Sequence, residues 1–221
     1  MTKTEKINRI KAIDERLETI YGDAPCALQY GGDGWKLLIM GRLSAQCTDA
    51  MVNKVSLTLF SKYPTAASLA AAELSEVEEI IRPCGLYHTK ARNIIDASAR
   101  LLRDYGGVVP STMDELLKFE GVGRKVANLL LGDLYGLPCV VCDTHCIRIC
   151  ARFGMYSATL KNPDKIEKIL RELLDVRRGS DFCHRIVLFG RETCTARNPN
   201  CSKCPLADLC ETNLKSKAQK I

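Results

Sequence analysis

Helical periodicity dominates this sequence and limits what the chain can fold into. Apolar residues recur three and four positions apart through most of the 221 residues, which places them along one face of an α-helix. Strand signals are confined to the pairs at 108–109 and 140–141, which are too short to build a sheet. The pattern predicts an all-α fold with short connections between neighbouring helices. The first apolar stripe, which Gly22 ends, comprises Ile7, Ile10, Ile13, Leu17 and Ile20.

Polar residues ahead of the apolar runs predict where several helices begin. Asn162 before Pro163 is typical of a helix start, because asparagine caps the first turn and proline needs no amide hydrogen there. Asp143 precedes Ile147 and Ile149 in the same way and is expected to be a helix N-cap. Further caps are expected at Ser75 with Glu78, at Thr89, and at Ser111 with Asp114.

Nothing in the sequence indicates export or membrane insertion. No apolar run approaches the roughly 20 residues that span a bilayer, and charged residues interrupt the N-terminal segment where a signal peptide has its apolar core. The expected location is therefore cytoplasmic and nucleoid-associated. The formal net charge of +6 is compatible with a polyanionic partner but does not demonstrate one.

Residues 119–131 combine a glycine turn with the start of a helix. Gly121 and Gly123 permit positive φ and let another backbone approach closely. Free N–H groups at the start of the second helix would then face outward and offer a seat for a phosphate. This helix–hairpin–helix pattern is typical of proteins that hold the DNA backbone without reading its sequence, although an ordinary turn between core helices has similar residues.

Lys125 follows that turn and lies in the first turn of the second helix. The partial positive charge of a helix N-terminus disfavours a protonated amine, and we expect partial burial to add to that effect. An unprotonated lysine is a nucleophile that can form a Schiff base. By itself, the position fits a phosphate contact better than a catalytic role.

Asp143 supplies the second candidate catalytic group. Two to three helical turns and the break at Leu137-Pro138 separate it from Lys125, so the chain is able to double back and bring the carboxylate near the amine. A carboxylate there is suited to taking the proton of the amine or to stabilising a cationic sugar as a base leaves. Its helix-capping role alone is the simpler alternative.

Four of the twelve cysteines stand close together in a polar, proline-bearing segment. They are Cys194, Cys201, Cys204 and Cys210. Without export a disulfide framework is not expected, since the cytosol keeps thiols reduced. Four thiolates suit zinc or a cubane iron–sulfur cluster, and the spacing leaves both open.

The remaining cysteines are interpreted as packing residues. Cys139, Cys142, Cys146 and Cys150 form a second string, but small apolar residues in the core explain it better than ligation does. The same interpretation is given to Cys26, Cys47, Cys84 and Cys183.

These features, in this order along the chain, resemble those of the endonuclease III family of helix–hairpin–helix DNA glycosylases. The resemblance extends from about Trp35 to Cys210. Its motifs are Leu-Ser-Ala-Gln-x-Thr-Asp at 43–49, Gly-Leu-Tyr-x-x-Lys-Ala at 85–91, Gly-Val-Gly-Arg-Lys-x-Ala-Asn at 121–128, Val-x-Asp-Thr-His at 141–145, and the four-cysteine loop.

The resemblance implies two all-α domains with the DNA in the cleft between them. One is a helical barrel with the helix–hairpin–helix at 25–136, and the other joins 1–24 to 137–221 and holds a [4Fe–4S] cluster on the four cysteines of the loop. The implied protein is a monomer that acts on double-stranded DNA containing damaged bases or abasic sites.

The resemblance also implies an activity and a set of site residues. The family flips the lesion out of the duplex, removes oxidised pyrimidines through a lysine Schiff base and cleaves the strand by β-elimination, which assigns catalysis to Lys125 and Asp143. Gln46 would fill the gap left by the flipped nucleotide and Leu86 would wedge beside the estranged base. The remaining implied DNA contacts are Gly121, Val122, Gly123, Arg124, Thr144, His145 and Arg197.

Three positions depart from the family pattern, and two further classes of protein remain as alternatives. Glu120 replaces the usual proline, Leu117 replaces a frequent acidic residue, and Arg197 is the only basic residue between Cys194 and Cys201. Each is expected to weaken backbone contact or to shift lesion preference. A sister family that removes adenine lacks the lysine and carries a further C-terminal domain, and a non-catalytic, redox-sensitive DNA-binding protein would use Lys125 only as a phosphate anchor.

Overall fold

Helices form every regular element between residues 1 and 218, the part of the chain that a computed structural model describes. The expectation of an all-α fold is confirmed, and the valine pairs at 108–109 and 140–141 lie in irregular segments. Short 3-10 helices occupy Arg82–Cys84, Val176–Arg178 and Cys201–Lys203. The α-helices are α1 (Lys3–Tyr21), α2 (Gly34–Leu43), α3 (Asp49–Lys62), α4 (Ala66–Ala70), α5 (Leu74–Ile81), α6 (Tyr87–Tyr105), α7 (Met113–Leu116), α8 (Arg124–Tyr135), α9 (Thr144–Arg152), α10 (Pro163–Leu173), α11 (Gly179–Glu192) and α12 (Glu211–Ala218).

Two of the expected helix caps are confirmed. The side chain of Asn162 accepts a hydrogen bond from the Lys165 backbone N–H at 2.9 Å, with Pro163 as the first residue of α10. Asp143 caps α9 through the Cys146 N–H at 2.7 Å. Both helices therefore begin where a side-chain acceptor replaces the missing intrahelical partner.

Three other caps were wrong. Helix α5 begins after Glu73 and already contains Ser75, and Thr89 lies inside α6. Helix α7 is capped by Thr112, which accepts from the Glu115 N–H. Apolar periodicity determined which face is buried but not the residue at which each helix begins, because several Ser, Thr and acidic residues compete for the cap position.

The described chain divides into two compact units. One is the continuous segment 27–135, and the other combines 1–26 with 136–221. Among residues 1–218, no helix has both the length and the apolar character needed to cross a membrane.

Helix α2 forms the centre of the unit at 27–135. Trp35 and every residue from Leu37 to Leu43 are buried, as expected of a helix that is surrounded on all sides. The Trp35 indole donates a hydrogen bond to the Ser98 hydroxyl of α6 at 3.0 Å, and its ring packs against Phe60 of α3. Helix α6 also packs against α4 and α5, so this long helix supports most of the unit.

Helices α1 and α11 pack together in the other unit and enclose a buried ion-pair network. Arg185 of α11 is 2% exposed and donates to Asp14 of α1 at 3.1 Å. Arg178 donates to the second oxygen of Asp14 at 2.7 Å. Because Asp14 lies at the start of the sequence and both arginines near its end, these pairs join the two segments of a discontinuous unit.

The predicted apolar stripe of α1 is longer than the buried face of the helix. Ile10, Ile13 and Leu17 are buried, but Ile7 and Ile20 are 37% and 43% exposed, since the stripe extends beyond the face that α10 and α11 cover. After Cys210, residues 211–218 form α12. Residues 219–221 lie outside the described part of the chain.

Candidate catalytic, DNA-binding and cluster sites

The predicted helix–hairpin–helix lies in the unit at 27–135 and consists of α7, a turn at 117–123 and α8. Phe119 and Val122 are buried, and the Val122 N–H donates to the Phe119 carbonyl at 2.9 Å. Val122 therefore anchors the turn in the core with its side chain, which leaves only its backbone for contact with a ligand. The first helix of the hairpin is a single turn of four residues.

Gly121 is required by both its backbone conformation and its surroundings. Its φ is +68°, a region that L-residues with side chains rarely adopt. An added Cβ would collide with the guanidinium of Arg42, which donates to the Gly121 carbonyl. The prediction of positive φ is confirmed at this glycine.

Arg42 explains how Glu120 is accommodated in the same turn. The Arg42 side chain is buried, and burial lowers the pKa of its guanidinium, while the negative charge of Glu120 acts in the opposite direction. A buried cation beneath the turn thus offsets the charge of the residue that replaces the usual proline.

Gly123 and Arg124 form the exposed side of the turn. Both are exposed, and an added Cβ at Gly123 would meet open space. The Ala127 N–H donates to the Gly123 carbonyl at 3.0 Å, so the preceding N–H groups of α8 have no acceptor within the helix. Exposed N–H groups beside a positive helix end can bind a phosphate. Gly123 does not have the expected positive φ. Because it has no side chain, this glycine leaves room beside the turn.

Lys125 lies in the first turn of α8, as predicted. The expectation that its side chain is partly buried was wrong, because Lys125 is exposed. Its neighbour Val126 faces the core, so helical geometry turns Lys125 outward. The side chain is thus accessible to a substrate, and it follows the exposed turn directly in the sequence.

Gln46 and Leu86 share an unusual backbone conformation. Their φ angles are +53° and +50°, and among the described residues no other non-glycine residue has a positive φ. Both are exposed, Leu86 to 59%. Left-handed backbone at residues with side chains is strained, and such strain clusters at functional sites. The two residues predicted to enter the duplex are therefore presented on strained turns.

Asp143, Thr144 and His145 lie at the start of α9 in the other unit. One carboxylate oxygen of Asp143 caps the helix, and within the described chain its second oxygen accepts no hydrogen bond. Thr144 is exposed, and half-buried His145 contacts the Arg148 guanidinium through Nδ1 at 3.2 Å. The cap fixes one oxygen of Asp143 and leaves the other for chemistry.

The four cysteines of the loop line one cavity of about 250 Å³. Cys194, Cys204 and Cys210 are half-buried and Cys201 is exposed. Phe153 and Phe189 are also among the lining residues. Four converging thiols in a largely apolar cavity fit a four-iron cluster, which takes one thiolate on each iron. Arg197, also in this loop, is exposed.

Burial, and after it repulsion between neighbouring thiolates, disfavours ionisation of Cys204 and Cys210 in the absence of a metal. Burial raises the pKa of Cys204 and Cys210, and interaction with the neighbouring loop cysteines raises them further. Iron or zinc would relieve that repulsion, because a metal ion stabilises thiolate. The donor set therefore fits the predicted cofactor.

Arg152, at the end of α9, ties the cluster loop to the helix that Asp143 caps. Its guanidinium donates to Cys194 Sγ at 3.2 Å, to the Thr195 carbonyl at 2.8 Å and to the Ala196 carbonyl at 2.9 Å. Sequence reasoning missed both Arg152 and Arg42, since neither belongs to a motif and each acts on residues more than 40 positions away.

The core interpretation of the second cysteine string is confirmed. Cys139, Cys142, Cys146 and Cys150 are all buried. Hydrogen bonds with Cys142, Cys150 and Cys183, together with burial, hold the pKa of Cys146 well above its ordinary value. Cys84 and Cys183 are buried too, but Cys26 and Cys47 are only half-buried, so for those two the interpretation was wrong.

Two family models match this chain. The model of the HhH-GPD superfamily of base excision DNA repair proteins matches residues 39–175. The model of the iron–sulfur binding domain of endonuclease III matches residues 194–210, the loop that contains the four cysteines.

Individual relatives are similar over nearly the whole chain. Endonuclease III of Bacillus subtilis (strain 168) is 37% identical over 209 residues, which are 95% of this chain and 94% of the relative. A non-covalent endonuclease III–DNA complex superimposes with a TM-score of 0.89 at 39% identity, covering 99% of both chains. A trapped covalent endonuclease III–DNA intermediate superimposes with a TM-score of 0.88 at 39% identity, covering 98% of this chain and 99% of the other.

Proposed function

The chain belongs to the endonuclease III family of helix–hairpin–helix base excision repair proteins, and from this premise we propose how its own residues carry out the chemistry. It is a DNA glycosylase and abasic-site lyase that acts through a lysine Schiff base. It binds DNA, and its cofactor is a [4Fe–4S] cluster rather than zinc. The residue roles below, the substrate preference and the domain boundaries are our proposals.

Lys125 is the nucleophile. Its amine attacks C1′ of the damaged nucleotide, the bond between C1′ and the base breaks, and the base leaves with a proton. The product is an aminal at C1′; when the C1′–O4′ bond breaks and O4′ takes a proton, the sugar ring opens and a Schiff base forms between Nζ and C1′. The Schiff base acidifies C2′, so that loss of the C2′ proton breaks the C3′–O bond by β-elimination, with the 3′ phosphate as the leaving group. The observation that carries this assignment is the exposed position of Lys125 in the first turn of α8, directly after the phosphate-binding turn.

Asp143 acts on the same nucleotide through the oxygen that does not cap α9. That oxygen accepts the proton of the incoming amine or stabilises positive charge on the sugar as the base departs. The other oxygen stays bonded to the Cys146 N–H, which fixes the orientation of the carboxylate. Capping and catalysis are thus compatible roles of one side chain.

The hairpin turn binds the DNA backbone beside the lesion. The exposed backbone of 121–124 and the helix end of α8 bind a phosphate oxygen. In the other unit, Thr144, His145 and Arg197 supply further contacts. Because these are phosphate contacts, affinity should fall steeply with salt.

Gln46 and Leu86 enter the duplex when the lesion is extruded. The amide of Gln46 occupies the space of the flipped nucleotide, and Leu86 stacks beside the base that has lost its partner. Strained, exposed turns suit this role, since rigid presentation avoids an ordering cost at the moment of binding.

The four loop cysteines hold the cluster, which when bound cross-links the loop through its iron–thiolate bonds. Arg152 connects that loop to α9 and so to Asp143. We propose that the substrate is duplex DNA with an oxidised pyrimidine or an abasic site, that one chain acts alone, and that 27–135 and 1–26 with 136–221 are its two domains.

Borohydride trapping tests the role of Lys125. The parent protein, mixed with an abasic duplex and borohydride, should form a covalent adduct, because the hydride reduces the Schiff base. Lys125→Gln should form none and should lose base removal by about 10³-fold or more. Lys62→Gln, which removes an exposed lysine of the same unit, serves as the control. An undiminished adduct with Lys125→Gln would show that another amine is the nucleophile.

A further inference from the structure

Lys90 of α6 is a buried lysine that has no role in the proposed chemistry. It is 3% exposed, and its Nζ donates to the Leu43 carbonyl at 2.9 Å and to the Cys84 carbonyl at 2.8 Å. Lysine is almost never fully buried unless its ammonium group is paired. Here two backbone carbonyls from different segments provide that pairing.

Those two carbonyls lie at the base of the two strained turns. Leu43 is the last residue of α2 and precedes Gln46 by three positions. Cys84 is the last residue of the 3-10 helix Arg82–Cys84 and precedes Leu86 by two positions. One ammonium group therefore bridges the two segments that carry the left-handed residues.

The ammonium group of Lys90 is suited to stabilising the strained backbone of these two turns. A left-handed conformation is strained at a non-glycine residue and persists only where the surroundings fix it. Hydrogen bonds from a charged donor are roughly twice as strong as neutral ones. Burial lowers the pKa of Lys90, which is the cost of placing a cation there.

A second contact joins the same segments. Cys47 follows Gln46, and its thiol interacts electrostatically with that of Cys84; burial, followed by this interaction, raises the pKa of Cys84 to about 12. The two segments therefore come together beside Lys90, and the charge of the buried Arg42 also acts on its ammonium group.

We propose that Lys90 is a positioning residue that fixes the turns of Gln46 and Leu86 relative to each other, so that both side chains enter the duplex together. This proposal rests on the proposed duplex-invading role of Gln46 and Leu86. Lys90 does not touch the substrate; it acts through the carbonyls of Leu43 and Cys84.

The test compares two substrates, of which only one requires invasion of a duplex. Lys90→Met keeps the alkyl chain and removes the donors. Its single-turnover rate of base removal from a lesion duplex should fall by about tenfold or more, since small misplacements are costly. Its β-elimination at an abasic site in single-stranded DNA should match that of the control Lys62→Met, which loses the same charge at an exposed position.

A double variant shows whether Lys90 acts through Leu86. Leu86→Ala should slow base removal from the duplex, and Lys90→Met should then cause a smaller further loss than it causes in the parent, because residues that act as one unit are not additive. The loss that remains acts through Gln46. Independent, additive losses would overturn the proposal. So would equal losses on duplex and single-stranded DNA, which would indicate a general defect of the fold.

Two results separate this inference from the function on which it rests. If Leu86→Ala is slow and Lys90→Met works at the parental rate, the positioning role of Lys90 fails alone. If Leu86→Ala itself works at the parental rate, the duplex-invading role fails and the positioning role falls with it. Should Lys90→Met not fold, Lys90→Gln replaces it, because its amide keeps N–H donors but is too short to reach both carbonyls.

Discussion

The two units hold their functional side chains by different means. In the segment 27–135, Gln46, Leu86 and the hairpin at 121–123 depend on backbone shape, with left-handed residues and a glycine against Arg42. In the unit formed by 1–26 and 136–221, Asp143 is fixed by a helix cap and the cluster loop by Arg152. In the first unit, the buried cations Arg42 and Lys90 support strained backbone that presents the functional groups. In the second unit, side-chain hydrogen bonds hold the functional groups directly.

This difference determines which substitutions each unit tolerates. A side chain that acts through a cap can be exchanged for another capping residue without loss of fold, which exposes its chemical role. A turn that depends on backbone conformation responds to a single added methyl group. The predictions that follow test this contrast, beginning with the largest effect.

Asp143→Asn separates chemistry from capping. Asparagine caps helices as well as aspartate does, so the melting temperature should stay close to that of the parent. Loss of the carboxylate should slow base removal by about 10²-fold or more, the usual contribution of an acid–base group. Single-turnover kinetics on a lesion duplex measures this.

Asp33→Asn is the matched control for that variant. Asp33 caps α2 in the other unit through the Lys36 N–H, so the same carboxylate-to-amide change is made at a helix cap with no proposed catalytic role. Its base removal should equal that of the parent. A parental rate in Asp143→Asn would contradict the catalytic role of Asp143.

Asp14→Ala tests whether buried charge joins the two segments of the discontinuous unit. It leaves the buried Arg185 with only one carboxylate contact, the longer one to Glu18 at 3.4 Å, and unfolding in urea should show a loss of about 3 kcal/mol. Glu172→Ala removes the exposed ion pair of α10 with Lys3, whose side chains are 52% and 62% exposed, and should cost less than about 1 kcal/mol. Equal losses would show that burial of the pair does not matter.

The same substitution should affect stability at one hairpin glycine and DNA binding at the other. Gly121→Ala puts a methyl group against Arg42 at positive φ and should destabilise the fold by about 1–3 kcal/mol. Gly123→Ala meets open space and should leave stability within about 1 kcal/mol while weakening binding to an abasic duplex. Thermal melts and a binding titration measure both. Unchanged binding in Gly123→Ala would argue against a phosphate at this position.

The sequence predicted the parts of the site that depend on local patterns. The all-α class follows from periodicity, the caps of α9 and α10 from Asp143 and Asn162, and the left-handed Gly121 from the Gly-x-Gly turn. Family membership was also predicted correctly, because ordered motifs spread over most of the chain are specific even where each motif alone is not.

The remaining features depend on contacts between residues that are far apart in the sequence, and residue spacing does not reveal such contacts. Lys125 is exposed because the core takes Val126 instead, and Lys90 is buried because two distant carbonyls accept its hydrogen bonds. Arg42 and Arg152 likewise act on residues far away in sequence. Helix starts at α5, α6 and α7 were wrong because several residues near each start are able to cap, and packing selects among them.

Mapping the trapped adduct shows which amine forms the Schiff base with the sugar. The parent holoprotein is reduced with borohydride on an abasic duplex, digested with protease and nuclease, and analysed by mass spectrometry. We expect the sugar remnant on the peptide that contains Lys125, attached at Nζ. A remnant on another lysine or on the N-terminal amine of Met1 would contradict the role of Lys125 as the nucleophile.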